Sequence, residues 1–518
     1  MTASVSQVTT LALAVACAGC GSRDRRTDDD TLVLLVDARF NDLDPRYTDT
    51  NQDEKLARLI APGLTSMESD SLEPRLLLAE SIDLGDGRTV DVVLRPGLRF
   101  SDGTPLTAAD VAFSYMSAID PAMHSPRLRN MRDRFERVEA LDERRVRFHL
   151  VQPVATIITD LEFGIVSRRA AGRSGRFRGG RVIGAGPYLV ESYHPEDVRL
   201  RRNPNWGFAP PHTERIRARV VRDANARALM LVGGSADLTQ NTIRIDLVDD
   251  LAEKPRVEVA TGPGPTLTYL MMNGRDPLLR DVRVRRAIAL AIDRERVLRS
   301  KLDGRAVLAT GLLAPGQWAY EGRVDTYHRD LVRAGRLLDA AGYPDPDGQG
   351  GRPRMRLTYK TSSDQFRVAL ARVWAAQLGE VGIAVEVQSF EFTTVFADYK
   401  KGNYQLGSMQ TAAITEPDYL YTYFHSSRIP SERDPNAQNR WRFHDPRVDE
   451  LTELGRRTLD RGRRRAQYAE VQQILAREVP IIPLWHEHNV AVMNRDVRGF
   501  QLHPSANLWG MLTTSKLR

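Results

Sequence analysis

Few side chains in this chain have the type and spacing that covalent chemistry on a substrate requires. Its 518 residues include two cysteines, Cys17 and Cys20, and a histidine pair, His486 and His488. Two residues apart on a strand, these histidines would point the same way and could supply two metal ligands, but two ligands leave a metal site incomplete. Neither a Gly-x-Ser-x-Gly nor a His-Glu-x-x-His motif is present. We therefore expect no enzymatic activity, no metal site and no cofactor.

Both cysteines lie in an apolar N-terminal segment, LALAVACAGCGS at residues 11–22. The apolar part is too short to span a bilayer and is typical of a signal peptide, which would remove any Cys-x-x-Cys redox pair. The sequence Ala-Gly-Cys20-Gly-Ser resembles the lipobox of bacterial lipoproteins, which implies that Cys20 is lipidated and becomes the mature N-terminus. Cys17 is the alternative lipidation site. We expect a lipoprotein signal peptide at residues 1–20 and a flexible charged tether at residues 21–30.

Composition and charge are those of a soluble globular protein. The chain is 42% hydrophobic and 27% charged, with a net charge of +7. Its length implies about two to four domains or lobes. Arginine clusters at residues 173–181 and 461–465 could contact nucleic acid, but no aromatic stacking pattern accompanies them. We interpret the first cluster as a basic surface loop and the second as a solvated helix face, and we expect no nucleic-acid partner.

The strongest local structural signals lie between residues 89 and 119. Val90, Val92 and Leu94 alternate with their neighbours, which predicts a half-buried strand. Thr107 precedes Asp110 by three residues, which predicts a capping box at the start of a helix. The apolar residues of that helix recur at helical spacing and predict one buried face, formed by Val111, Tyr115, Ala118 and Ile119.

This part of the chain, LRPGLRFSDGTPLTAADVAFSYM at residues 94–116, also carries a family resemblance. It resembles a segment of the family 5 extracytoplasmic solute-binding proteins, the peptide- and nickel-type receptors of bacterial ABC importers. Other segments between residues 31 and 515 resemble the same family in the expected order. They include Leu43–Pro45, Gly184–Tyr188, Arg283–Arg294, Leu337–Pro344 and Pro480–Trp485.

The resemblance implies an α/β fold of the periplasmic-binding-protein type (class II, cluster C), with two lobes, a hinge between them and an extra domain. Lobe II is expected at residues 263–484 and the extra domain at residues 66–180. Lobe I is expected to comprise residues 31–65, 181–262 and 485–518. Lobes joined by crossing strands close by hinge motion, and a ligand between them contacts both lobes only in the closed state.

The resemblance also implies where a ligand lies. In peptide-binding members the ligand is extended between the lobes and held by main-chain hydrogen bonds, as in strand addition. The Arg39 guanidinium could pair with a ligand carboxylate. The first expected contact segment is Arg39, Phe40 and Asn41. The second comprises Gln410, Thr411, Ala412, Ala413 and Glu416.

The second segment departs from the family pattern. Peptide-binding members commonly carry a Trp and a buried Asp there, and the Asp pairs with the ammonium group of the ligand. This chain has Gln410 in the Trp position and Ala413 in the Asp position. A buried ammonium group needs a paired carboxylate, because an unpaired buried charge is costly. Either another acid such as Glu416 or Asp418 takes over this role, or the ligand has no free amine there.

Four more residues are candidate ligand contacts. Trp485 and His486 follow the last expected strand of lobe II, near the hinge, and Trp485 could stack on a ligand. Tyr269 and Asn273 lie on an expected lobe-crossing strand. Asn273 could hydrogen-bond a ligand, whereas Tyr269 could equally well pack in the core.

Together these features predict the extracytoplasmic substrate-binding component of an ABC importer. It would capture a peptide or peptide-like solute and deliver it to a membrane permease that works with ATPase subunits. A lipid anchor would hold the protein, as a monomer, at the membrane. The alternatives are a receptor for a non-peptide solute, such as a metal chelate or a sugar, and a sensory receptor. A hydrolase is disfavoured because its sequence motifs are absent.

Overall fold

The computed structural model describes residues 31–172, 175–177, 180–302, 304–348, 350–411 and 414–517. The predicted signal peptide and tether, with Cys17 and Cys20, lie outside the described residues, as do Ala412 and Ala413. Within the described ranges, none of the helices has the length and apolarity needed to cross a membrane.

Nineteen strands are present in the described part of the chain. They are β1 Thr31–Val36, β2 Thr65–Ser66, β3 Arg75–Leu76, β4 Ala79–Asp83, β5 Thr89–Leu94, β6 Phe135–Ala140, β7 Arg145–Leu150, β8 Tyr188–His194, β9 Asp197–Arg202, β10 Arg215–Val220, β11 Leu238–Gln240, β12 Val257–Met272, β13 Ala306–Leu308, β14 Met355–Ser362, β15 Ile383–Phe390, β16 Leu406–Thr411, β17 Ile481–Asn494, β18 Val497–Arg498 and β19 Ser515–Lys516.

Fifteen α-helices accompany them in the same ranges. They are α1 Asn51–Ile60, α2 Ala108–Ile119, α3 Leu128–Arg132, α4 Ile157–Asp160, α5 Arg168–Ala171, α6 Ala224–Val232, α7 Val248–Ala252, α8 Val282–Ala291, α9 Arg294–Lys301, α10 Leu331–Ala340, α11 Gln365–Gly379, α12 Phe392–Lys401, α13 Tyr419–Phe424, α14 Pro446–Arg457 and α15 Arg461–Glu478.

One sheet of eleven strands extends through both halves of the protein. Its order is β15-β14-β16-β12-β17-β11-β1-β10-β9-β8, and β13 also pairs with β17. The two longest strands, β12 and β17, are antiparallel and belong to both halves. Lobe I is built on β1 and β8–β11, and lobe II on β14–β16. This arrangement confirms the predicted two-lobed α/β fold.

A separate four-stranded sheet in the order β4-β5-β7-β6 lies within residues 66–180, the range predicted for the extra domain. The helix α2 packs on it and buries Val111 and Tyr115 against Phe135 and Phe148. The Thr107 N–H donates to the Asp110 carboxylate at 3.0 Å, so the predicted capping box and buried helix face are both confirmed.

A buried ion pair joins lobe I to this domain. The Arg46 guanidinium donates to both oxygens of Asp44, at 2.9 and 2.6 Å, and to the Ser117 hydroxyl of α2 at 3.0 Å. It also lies 5.2 Å from the centre of the Phe113 ring. Both charged side chains are at least 98% buried. Asp44 is therefore the only counter-charge in contact with Arg46 among the described residues, and the Asp of the Leu43–Pro45 segment has a structural role.

Replacing Asp44 by Ala leaves the buried Arg46 guanidinium without its counter-charge. We expect the free energy of unfolding to fall by about 3–5 kcal/mol, measured by urea denaturation. The control is Glu196→Ala, which removes an exposed partner of Arg222 and should cost about 1 kcal/mol or less. Equal losses in the two variants would contradict this role of the Arg46–Asp44 pair.

Candidate functional site

The two lobes present the carboxyl ends of their parallel strands to each other. In lobe I, Gln240 at the end of β11 lies opposite Ala491 of β17. In the same lobe β1 runs parallel to β11, and β10 runs parallel to β1. In lobe II, Thr411 at the end of β16 lies opposite Leu267 of β12, and β14 and β15 run the same way. Open α/β sheets bind ligands outside the carboxyl ends of their strands. The space between these two edges is therefore the candidate binding site.

The strand crossing between the lobes has its own sequence and contacts. The pairing of β12 with β17 is interrupted between Gly262 and Thr266, where β12 reads Gly-Pro-Gly-Pro-Thr. Beside this interruption the buried Asn489 amide donates to the carbonyls of Pro263 at 3.1 Å and Pro504 at 2.7 Å. Its side-chain oxygen accepts from Asn241 at 2.9 Å, so the crossing is held by amide contacts.

A cavity of about 910 Å³ opens between the lobes on the side of the extra domain. Helix α1 and residues 127–164 form one wall, and residues 415–428 with Arg456 form the other. Ligand pockets in proteins typically measure about 300–1,000 Å³. The cavity is large enough for a small organic ligand, and both of its walls are rich in charged side chains.

Glu416 joins the two walls of this cavity. It is 92% buried; its carboxylate pairs with Arg464 of α15 at 2.5 Å and accepts from the Thr159 hydroxyl of the extra domain at 3.2 Å. Burial raises the pKa of Glu416, whereas the Arg464 guanidinium lowers it. A carboxylate that is already bonded on both oxygens is a poor acceptor for a ligand, so Glu416 connects lobe II to the extra domain.

Two other carboxylates lie near each other in the cavity. Asp160 accepts from Arg134 at 2.6 Å, and burial raises its pKa to about 6 although Arg134 lowers it. Asp418 is 94% buried and has Arg456 Nε at 3.0 Å from its Oδ1. That oxygen accepts no hydrogen bond in the part of the chain that the structure describes. Asp418 therefore lines the cavity with unused hydrogen-bonding capacity.

Two arginines of this wall, Arg58 of lobe I and Arg127 of the extra domain, have counter-ions. Arg58 of α1 pairs with Glu162 at 3.0 Å. Arg127 pairs with Glu54 at 2.5 Å and donates to the Thr48 hydroxyl at 2.8 Å. These contacts neutralise both guanidinium groups within the protein.

The residues of the first predicted contact segment differ in their exposure and in their contacts. Arg39 is exposed at the lobe I edge, where its predicted role as a ligand contact stays a prediction. Phe40 is 99% buried, donates its N–H to the Pro195 carbonyl at 2.8 Å and accepts from the Tyr193 hydroxyl through its own carbonyl. Asn41 likewise donates its N–H to Asp53 at 3.0 Å. The main chain at Phe40 and Asn41 is thus bonded internally, which corrects the prediction of strand addition there.

The second predicted segment lies at the lobe II edge. Gln410 is exposed, and its amide donates to Glu487 of the crossing strand at 2.7 Å. Thr411 is buried and bonds with the Tyr423 hydroxyl. The predicted roles of Ala412 and Ala413 fall outside the described residues.

Four predicted contacts lie elsewhere than expected. Trp485 is fully buried in the lobe II core, and His486 is 99% buried, with its pKa lowered to about 4 by burial. Tyr269 packs edge-on against Trp441, which fits the core alternative. Asn273 follows β12 at the edge away from lobe I and donates to the Gly402 and Tyr404 carbonyls. Trp485 and His486 are thus buried and Asn273 is bonded internally, and their roles as ligand contacts stay predictions.

Sequence interpretation missed the charged residues that line or brace the cavity. Residues 461–465 were expected to form a solvated helix face, but Arg464 is 93% buried against Glu416. The inward positions of α15 include Arg464, Tyr468, Val471 and Gln472, at helical spacing that would have revealed this face. Asp160 and Arg456 carry no comparable local signal, because they meet only in the folded protein, whereas the sequence already offered Asp418 as a possible substitute for the missing Asp. No cluster of three metal-ligating side chains occurs among the residues described.

Comparison with known proteins identifies the family. Residues 73–431, more than half of the chain, match the model of the bacterial extracellular solute-binding proteins, family 5. The chain belongs to this family. Family 5 members are solute-binding proteins. This agrees with a candidate site that lies between two lobes and is lined with charged groups.

Individual family 5 proteins are similar over almost the whole chain. The glutathione-binding protein GsiB of Escherichia coli strain K12 is 28% identical over 486 residues, covering 91% of this chain and 92% of GsiB. NikZ of Campylobacter jejuni, solved with Ni(L-His), has a TM-score of 0.77 at 23% identity and covers 95% of this chain and 100% of NikZ. DppA of Helicobacter pylori, solved with the peptide STSA, has a TM-score of 0.74 at 23% identity and covers 94% and 98%.

Substitution of Gly264 tests the strand crossing. A Cβ at this position would collide with the Glu487 carbonyl oxygen, a backbone atom of the partner strand. We expect Gly264→Ala to lower the free energy of unfolding by about 1–3 kcal/mol in a denaturant titration.

Gly262→Ala is the matched control on the same strand. Its Cβ would lie 3.7 Å from the Leu502 side chain, an ordinary contact, so stability should change by no more than about 1 kcal/mol. Equal changes in the free energy of unfolding for Gly264→Ala and Gly262→Ala would show that the close approach of β12 to the Glu487 carbonyl at Gly264 is unimportant.

Proposed function

We propose that this family 5 protein is the substrate-binding component of an ABC importer and captures a short peptide or peptide-like solute between its lobes. The cavity of about 910 Å³, bounded by both lobes and the extra domain, is the observation that carries this proposal. Its walls hold carboxylates and guanidinium groups, which suit a ligand with ionised termini. The solute would pass from this site to the permease, and ATPase subunits would drive transport.

The ligands of similar proteins support this class of solute. GsiB is a glutathione-binding protein, and DppA was solved with a peptide. NikZ was solved with a nickel complex of the amino acid L-His. Each of these ligands contains an amino-acid unit, and the peptide ligands carry the carboxylate and ammonium groups that a charged cavity can distinguish.

Capture follows from the position of the cavity between two movable lobes. A ligand that contacts both α1 of lobe I and residues 415–428 of lobe II favours the closed arrangement over the open one. The Glu416–Thr159 contact adds to closure, because it joins lobe II to the extra domain. Hinge motion at the crossing of β12 and β17 then opens and closes the site.

The receptor for a ligand ammonium group is Asp418 in this proposal. Ala413, in the position of the usual Asp, has no carboxylate to offer. Asp418 lines the cavity, is 94% buried and has an oxygen that accepts no hydrogen bond within the described chain. An ammonium group would satisfy that oxygen through a charge-assisted hydrogen bond.

The location of the protein follows from its family and its N-terminus. Members of the family are extracellular solute-binding proteins. The signal peptide at residues 1–20, lipidation of Cys20 and the tether at residues 21–30 would hold the binding lobes near the permease. We propose the same monomeric, membrane-anchored arrangement for this chain.

A peptide panel tests the proposed solute class. Purified protein is titrated calorimetrically with reduced glutathione, trialanine and a pool of tripeptides, each compared with its N-acetylated form. We expect saturable binding of free-amine peptides and at least about tenfold weaker binding of them by Asp418→Asn.

N-acetylated peptides should bind the wild type and Asp418→Asn alike, because they carry no ammonium group. Asp250→Asn, at an exposed position of helix α7, is the matched control and should not affect the binding of either form. Equal weakening of free and acetylated peptides would remove Asp418 from this role, and binding of no peptide at all would refute the peptide function.

Metabolic labelling with palmitate tests the anchor. We expect the wild type and Cys17→Ala to retain label in the membrane fraction and Cys20→Ala to lose it, because the lipid is attached at Cys20. Loss of label in Cys17→Ala with retention in Cys20→Ala would assign the anchor to the alternative cysteine.

A further inference from the structure

Helix α1 places one lysine beside the row of side chains that faces the cavity. Glu54, Ala57 and Arg58 line the cavity at helical spacing. Lys55 follows Glu54 directly and lies about 60° further around the helix from Arg58. Its side chain is half-buried, so it lies beside the cavity wall and still reaches solvent.

The side of α1 that carries Lys55 adjoins the lobe I edge. The Gln52 amide donates to the Ala38 carbonyl at 2.8 Å, in the loop that follows β1. Asp53 accepts from the Asn41 N–H of the same loop at 3.0 Å. Since this loop begins at the end of β1 that faces lobe II, Lys55 lies where the cavity meets the space between the strand ends.

Unlike Arg58 and Arg127, Lys55 has no counter-ion in contact. Arg58 and Arg127 pair with Glu162 and Glu54, but the Lys55 ammonium makes no ion pair or hydrogen bond with any of the residues described. Lys55 is therefore a half-buried positive charge beside this wall that the described residues leave without an ion pair. Half-buried charges without partners are costly, and a ligand can supply the partner.

Two charged groups act on this ammonium. Arg58 on the same helix repels it, and Asp37, the first residue after β1, attracts it without forming an ion pair. Burial, the largest cause, and Arg58 together lower the pKa of Lys55 to about 8. The ordinary preference of lysine for the charged form is thus weakened in the empty site.

We infer that Lys55 is the receptor for a carboxylate group of the solute. This inference rests on the proposed function and makes it more specific: the solute carries a free carboxylate that reaches the loop after β1. Lysine presents a compact charge with three donors, so one carboxylate oxygen is enough for a strong contact. With Asp418 on the opposite wall, the carboxylate and ammonium of one short peptide would point in opposite directions across the cleft.

A double-mutant cycle between protein and peptide tests the assignment. The tightest-binding peptide of the panel above is made with each of its carboxylates in turn converted to an amide. We expect Lys55→Met to bind the unmodified peptide about tenfold to a hundredfold more weakly than the wild type does. We expect the wild type to bind one of the amidated peptides more weakly by a similar factor. Lys55→Met should bind that amidated peptide no more weakly than it binds the unmodified peptide, because both changes remove the same contact.

Two further variants separate charge from structure. Lys55→Arg keeps the charge and should recover most of the affinity. Lys254→Met replaces an exposed lysine beyond the far end of β12 and should leave affinity unchanged. Thermal melting of Lys55→Met should show no loss of stability, since no internal contact is removed.

Proton uptake gives an independent measurement. A bound carboxylate raises the pKa of Lys55 above its value of about 8 in the empty site, so binding at pH 8 takes up a fraction of a proton. Calorimetry in two buffers of different ionisation enthalpy measures this uptake. Since the peptide α-amine also titrates near pH 8, the N-acetylated peptide is used, and its uptake should disappear in Lys55→Met. Affinity of the wild type should also fall as the pH rises from 7 to 9, because the ammonium is lost.

The outcomes distinguish this inference from the function on which it rests. If peptides bind and Lys55→Met leaves both affinity and proton uptake unchanged, the assignment of Lys55 is wrong and the peptide function stands. If no peptide in the panel binds the wild type, the peptide function and the assignment of Lys55 are both refuted. Additive losses in the cycle would also overturn the assignment, since they show that Lys55 and the carboxylate act separately.

Discussion

The antiparallel crossing of β12 and β17 determines the geometry of the whole protein. Each strand contributes to both lobes, so a single sheet runs through the hinge. β11 pairs antiparallel with β17 in lobe I, and β16 pairs antiparallel with β12 in lobe II. The carboxyl ends of the parallel strands in both lobes consequently face each other. The position of Arg39 at one edge and Gln410 at the other follows from this pairing, although they lie far apart in sequence.

Charge compensation is the second organising constraint. The cavity walls bring many ionised groups out of bulk water, and most have a partner from another part of the chain, as in Glu416 with Arg464. Such internal pairs fix the shape of the walls and leave little charge for a solute. Lys55 has no ion pair with the described residues, and Asp418 has Arg456 nearby but an oxygen that accepts no hydrogen bond, so both gain importance as groups that a solute can satisfy. Specificity in this site depends on which charges the fold leaves unpaired.

The family and the fold could be predicted from sequence because their signals are local. The capping box at Thr107 and Asp110 needs only neighbouring residues. Trp485 could not be placed in the same way. The register of β12 against β17 shifts between Thr268 and Tyr269, which changes the alternation of inward and outward residues along β17. Lys55 escaped notice for a related reason: a missing partner is visible only when the surrounding chain is in place.

The interruption of the β12–β17 pairing has a mechanical consequence. Pro263 and Pro265 have no N–H to donate, and the ladder resumes only at Thr266. The strands can therefore twist about this short segment while the ladders on either side keep their hydrogen bonds. Bending there breaks no ladder hydrogen bond between β12 and β17, although the Asn489 contacts must adjust, so contacts in the cleft contribute to the balance between the open and closed forms. A soft joint of this kind lets the modest interaction energy of a small solute govern the motion of two whole lobes.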